Sequence, residues 1–177
     1  MTIHIHNDDL PSNFGFADAV AIDTETMGLN PLRDRLCLVQ LSSGDGEAHL
    51  VKINSPMGPC PNLKLLLKNT NLTKLFHFAR FDIASLSQHI APVQGPIYCT
   101  KIASKLARTY TDRHGLKDLC RELLKIDISK QQQSSDWGAK TLSTEQAEYA
   151  AGDVIYLHQI REKLDEMLVR EARADIA

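Results

Sequence analysis

Ala19-Val20-Ala21-Ile22-Asp23-Thr24-Glu25-Thr26-Met27-Gly28-Leu29 runs from an apolar, strand-like segment straight into two carboxylates one residue apart. On a strand, residues i and i+2 point to the same face. Asp23 and Glu25 are therefore expected side by side where a buried strand meets a loop. Two anions at the edge of an apolar core repel each other and lose solvation. A divalent cation relieves both costs. A turn-flanking acidic pair is the plain alternative for this spacing alone.

Two further segments carry acids in matching settings. In Leu75-Phe76-His77-Phe78-Ala79-Arg80-Phe81-Asp82 a short buried strand leads into a helix, with Asp82 in its first turn. In residues 142–160 Ser143 and Gln146 have the spacing of a capping box. Tyr149 and Asp153 follow at i and i+4, on one helix face. Asp153 stands between Ala150-Ala151-Gly152 and Val154-Ile155, where an acid is costly unless paired or metal-bound.

Together these segments resemble the DEDD family of 3′-to-5′ exonucleases, in the tyrosine subgroup that includes ribonuclease D. The motifs match as Asp23-x-Glu25, His77-x-Ala79-x-Phe81-Asp82 and Tyr149-x-x-x-Asp153. The histidine subgroup would place His five positions before the last Asp, where this chain has Glu148. The resemblance implies an α/β, ribonuclease H-like fold with a mixed central sheet flanked by helices. It also implies two divalent metal ions, Mg²⁺ or Mn²⁺, and hydrolysis of phosphodiester bonds in short RNA, dinucleotides among them, to 5′-mononucleotides. By the same resemblance Asp23 bridges both metals, Glu25 and Asp153 complete one site, Asp82 serves the other, and Tyr149 orients the attacking water. A phenol with a free pKa of about 10 is a poor base at neutral pH, which favours positioning. DNA or any single strand is the alternative substrate. A non-catalytic nucleic-acid-binding module would be expected to lack some of these acids, and none is missing.

By the same resemblance Thr24, Met27, Gly28 and Leu29 are expected to meet substrate, with Leu29 as a wedge against terminal bases; a core-capping leucine is the plain alternative. His77 is read either as a ribose or phosphate contact or as a histidine satisfied in the core. Trp137 is read as a base-stacking ring or as a packing anchor. The polar stretch 127–140 is either a surface loop or a substrate-facing one.

The chain has 177 residues, 43% hydrophobic and 24% charged, ordinary values for a globular protein, and reads as one exonuclease domain without the appended helical RNA-binding domains of ribonuclease D. No run approaches the ~20 apolar residues of a membrane span, and the N-terminus lacks the pattern of a secretory signal. The scattered Cys37, Cys60, Cys99 and Cys120 form no C-x-x-C pair, so a reducing cytoplasm is expected. The net charge of −2 argues against tracking long nucleic acid on a basic face. Lys101 to Lys117 is either a basic strip or a solvated helix face, and a homo-oligomer would be another way to concentrate positive charge. Strands are expected at 3–6, 19–24, 36–41, 48–53 and 74–78, and helices at 63–67, 80–89, 99–108, 115–124 and 144–172.

Overall fold

In a computed structural model, residues 1–12, 14–54, 57–129 and 131–176 are described. The strands are β1 (Thr2–Asn7), β2 (Ala19–Thr26), β3 (Leu36–Ser42), β4 (Glu47–Lys52), β5 (Thr73–Phe76) and β6 (Ile97–Cys99). They form a six-stranded sheet in the order β1-β4-β3-β2-β5-β6. β2-β3 and β3-β4 pair antiparallel, while β1-β4, β2-β5 and β5-β6 pair parallel. The helices are α1 (Pro61–Lys68), α2 (Arg80–His89), α3 (Thr100–Ala107), α4 (Leu116–Leu119), α5 (Thr144–Ile155) and α6 (Leu157–Arg170). The mixed, helix-flanked α/β sheet expected from the sequence is the sheet observed. The sequence also suggests a breaker-rich loop over 55–61; its Ser55 and Pro56 lie outside the described residues, as does Lys130 of the polar stretch 127–140.

Strand parity sorts the core onto two faces. Val20 and Ile22 of β2 join Val39, Leu41 and Val51 against Leu63, Leu67 and Leu86 of α1 and α2. The intervening Ala21, with Ala48 and Leu75, packs against α3, α5 and α6 through Ala103, Ala151, Val154, Leu157 and Ile160. Small side chains on both partners let α5 lie close to the sheet. Asp23 and Glu25 continue the parity of Ala21 and so face α5. Thr24 faces α2.

Four elements differ from expectation. β6 was not anticipated, because three residues, Ile97-Tyr98-Cys99, carry no readable alternation; pairing with β5 makes them a strand. β5 ends at Phe76 rather than Phe78, since Phe78 adopts a left-handed backbone (φ 69°) that no strand continues. The single helix expected over 144–172 is two, broken at Tyr156. No proline or glycine stands at 156, so the break has no local signal; it lets Tyr156 pack into the second core beside Leu157 and Ile160. The segment after α4 widens into a π-helical turn, Cys120–Leu124. Cys60 is buried and Cys99 only partly so, and all four thiols are free.

The capping box at the start of α5 forms as its spacing predicts. Ser143 Oγ accepts from the Gln146 amide at 3.2 Å, and Gln146 Oε1 accepts from the Ser143 amide at 2.9 Å. Gln146 Nε2 also donates to Ser135 Oγ and to the Asp136 carbonyl, tying the 127–140 loop to the helix. Ser143→Ala should lower stability by about 1 kcal/mol through the lost cap. Gln146→Ala should cost more, because it releases the loop as well. Urea denaturation midpoints of the two variants check the order; equal losses would mean that the loop contacts add nothing.

Candidate active site

β2 delivers Asp23 and Glu25 at its carboxyl end, where its pairing with β3 shifts register between Glu25 and Thr26. Such irregularities re-aim side chains at the ends of strands. α5 lays Asp153 and Tyr149 over the same face. Oxygens of Asp23, Glu25 and Asp153 all lie within 4.8 Å of one another. The Tyr149 hydroxyl donates to Asp153. From the other face of β2, Thr24 Oγ1 donates to Asp82 Oδ1 at 2.6 Å, holding the first-turn acid of α2 toward the cluster. The five residues singled out in the sequence thus converge on one cleft of about 490 Å³, which Leu29, His77, Phe78, Phe81, Lys101 and Lys117 also line.

The electrostatics follow from crowding. Burial, then the charges of Asp82, Asp153 and Glu25, hold the Asp23 carboxyl well above the ordinary range. Glu25 is pushed up to about 9 by burial and by Asp153 and Asp82. Burial raises Asp82 to about 6 against the hydrogen bond from Thr24. The Tyr149 hydroxyl is likewise pushed up by burial and then by Asp153, Glu25 and Asp23, so it remains protonated at neutral pH and acts as a donor. Crowded, half-buried oxygens that cannot all ionise together are the donor set of a hard divalent cation, and these residues fit one.

The remaining expectations divide. Thr24 is largely buried, donates to Asp82 and still lines the cleft. Leu29 is 87% exposed at the cleft mouth. Met27 is exposed, with its sulfur beside Gly138, outside the cleft lining. Gly28 sits against the Asp34 carboxylate, where a Cβ would collide, so it shapes the loop that carries Leu29. His77 lines the cleft, and its Nδ1 lies 2.9 Å from Thr100 Oγ1. Thr100 Oγ1 in turn lies 3.1 Å from the Phe76 carbonyl, which accepts from it. Trp137 is a correction: it is 3% exposed and packs with Cys37, Leu38, Leu50, Ala147 and Ala150, so its ring has no face for a base. Its centroid lies 6.0 Å from that of Tyr149, and it supports the phenol from behind. In the 127–140 loop, Ser129 and Gln133 do reach the cleft.

Two residues were missed. Gln40, fully buried and opposite Asp23 in the β2-β3 register, donates Nε2–H to Asp23 Oδ2 at 3.2 Å. The available signal was a lone amide inside the apolar run Leu36-Cys37-Leu38-Val39-Gln40-Leu41. Phe78 is 56% exposed, holds a left-handed backbone, and has Lys101 Nζ 3.8 Å above its ring. Strain of that kind collects at functional sites.

The raised carboxylates set a stability slope. Between the unfolded carboxylate range near pH 4 and the folded values of about 6 and about 9, the folded chain binds more protons than the unfolded chain. Their contribution to the stability of the metal-free protein should therefore be fully present below pH 4 and be lost as pH rises toward 9. Asp23→Asn should flatten that fall. Thermal melts across this range in chelator measure the slope; stability rising through pH 6–9 would contradict the crowding.

The family model described as 3'-5' exonuclease matches residues 7–169. Ribonuclease D of Gluconacetobacter diazotrophicus is 34% identical over 156 residues, 88% of this chain and 39% of the relative. The chain thus spans about two fifths of that relative's length. A structure of Brucella melitensis NrnC bound to pGG is 55% identical, covers 99% of this chain and 85% of its own, and superposes with a TM-score of 0.93. A structure of the same NrnC with bound Mg²⁺ is 54% identical, with coverage of 99% and 86% and a TM-score of 0.92. The family inferred from the three acidic motifs is the one that the match over residues 7–169 returns: the chain belongs to the 3'-5' exonucleases.

Proposed function

We propose that this chain is a metal-dependent 3′-5′ exoribonuclease that removes 5′-mononucleotides from short RNA, dinucleotides included. The observation that carries the reading is the meeting of Asp23, Glu25 and Asp153 within 4.8 Å beside the Tyr149 hydroxyl. The likeness to a protein captured with pGG, extending over 99% of this chain, supports a short substrate.

Asp23, Glu25 and Asp153 would hold one divalent ion, with Asp23 and Asp82 serving a second. Bound there, the ions would lower the pKa of a water and neutralise charge on the phosphate. The chain's own residues do the rest. Tyr149, kept protonated, donates toward the water and fixes its approach. A water oxygen forms a bond to phosphorus, the bond from phosphorus to the 3′-oxygen of the preceding nucleotide breaks, and that oxygen takes up a proton. The products are a 5′-mononucleotide and an RNA one residue shorter. Leu29 and Phe78 offer exposed apolar surface to the terminal bases, while Lys101 and Lys117 face the phosphates. Gln40 holds Asp23 in place from the sheet.

A product time course on 5′-labelled RNA, from dinucleotides to about twenty-mers with DNA alongside, tests the reading. Release of 3′-terminal mononucleotides from RNA, stopped by chelator and restored by Mg²⁺ or Mn²⁺, is expected. Activity in excess chelator would refute it, and equal rates on DNA would turn the assignment to a general single-strand exonuclease.

Tyr149→Phe keeps the packing and removes only the donor. It should lower kcat by ~10²–10⁴-fold with little change in KM. An unchanged kcat would leave Tyr149 a packing residue.

On a chain of net charge −2, phosphate contacts should be few. Affinity should fall with salt at a slope of roughly −0.7 per contact, for about one to three contacts. Binding titrations over a salt series check this; a steep slope with preference for long RNA would point to a basic channel built by assembly.

A further inference from the structure

A second cluster of ligand-type side chains lies away from the acids, on the edge of the sheet. β1 and β4 pair in parallel with His4 opposite His49 and Thr2 opposite Glu47. Strand parity therefore puts His4, His6, Glu47 and His49 on one face. That face is the one on which Val51 packs with Leu63 and Leu67 of α1. Ala48 and Leu50, on the opposite face, meet α5 and its neighbours. The cluster is thus on the other side of the sheet from Tyr149 and Asp153.

The geometry within it is close. His4 Nε2 lies 3.0 Å from Glu47 Oε2, and His49 Nε2 lies 4.0 Å from the same oxygen. One ligand atom from each of the three residues falls within 4.8 Å of the others. Ligands about 2.1 Å from a tetrahedral ion sit about 3.4 Å apart, which falls inside the spread of these distances. The His4 and His49 rings stack with centroids 4.7 Å apart and planes 10° from parallel. His49 is 5% exposed, with Phe14 packed on it at 4.0 Å, so its position is set by the core. His49 Nδ1 lies 3.1 Å from His6 Nε2. A proton on His49 Nδ1, donated to His6, leaves the Nε2 lone pair directed toward Glu47. Metal-binding histidines are commonly oriented in this way by a partner on the other ring nitrogen. Burial, followed by the neighbouring His4, holds both His6 and His49 below the ordinary imidazole range.

We propose that His4, Glu47 and His49 form a zinc site, oriented by His6, that clips the edge strand β1 to β4. Two imidazole nitrogens with one carboxylate select a borderline ion such as Zn²⁺, whereas the all-oxygen cluster on the other face suits Mg²⁺ or Mn²⁺. The clip joins residues 43 apart in sequence and closes an edge otherwise held by its ladder and side-chain contacts.

The test is calorimetric titration of the chelator-stripped full chain with Zn²⁺ in excess Mg²⁺, together with thermal melts. One equivalent should bind, and Zn²⁺ at about a hundredfold above its Kd should raise the melting temperature by roughly 5–10 °C. His4→Ala and Glu47→Gln, both at partly exposed positions, should abolish the equivalent while leaving Mg²⁺-dependent hydrolysis intact. His6→Ala should weaken it about 10–100-fold, and Asp23→Asn should retain it. Absence of stoichiometric binding by the wild-type chain, binding that survives both His4→Ala and Glu47→Gln, or binding lost in Asp23→Asn would each overturn the site.

Discussion

Mutual repulsion among crowded, half-buried carboxylates is the constraint around which the rest of the site is arranged. Asp23, Glu25 and Asp153 cannot share a space of 4.8 Å as free anions at the edge of an apolar core. Burial and the neighbouring carboxylates hold Asp23 and Glu25 above the ordinary carboxylate range. The fold accepts the cost by holding each acid on a different kind of support: a strand end for Asp23 and Glu25, a first helical turn for Asp82, a mid-helix position for Asp153. An arrangement that is unfavourable without a cation is well suited to gripping one, because binding converts the repulsion into ligation.

Rigidity behind the acids comes from residues without charge. Gln40 reaches Asp23 across the β2-β3 ladder, and Thr24 reaches Asp82 from the opposite face of the same strand. Trp137, buried, backs Tyr149. Gln146 ties the cap of α5 to the loop that carries Trp137. The helix that supplies two of the five central residues is thereby anchored at its start, in the sheet and through the loop before it. Catalytic positioning to within fractions of an ångström depends on such support.

The two faces of the sheet carry different ligand chemistry. The α5 face presents oxygen ligands at strand ends, in a cleft open to substrate. The α1 face presents imidazoles along an edge strand, stacked and partly enclosed by Phe14. Softer nitrogen donors at the edge and hard oxygen donors in the cleft separate the ions that each would take.

Much of this was legible in the sequence. Period-two alternation placed Asp23 and Glu25 on one face. The i, i+4 spacing joined Tyr149 to Asp153, and Ser143 with Gln146 announced the start of α5. These are local rules, obeyed whatever surrounds them. Tertiary structure alone decided which faces meet. It buried Trp137, which composition left open between base and core. It made a strand of Ile97-Tyr98-Cys99 through pairing, broke the last helix at Tyr156 without a local breaker, and bent Phe78 into a left-handed conformation. It also brought Gln40 to Asp23 across 17 residues of chain, and His6 to His49 across 43. Short-range periodicity sets the side of an element on which a residue lies. Only the closure of sheet and helices around a shared core sets what stands opposite, because that choice is made by packing and long-range pairing rather than by neighbours in sequence.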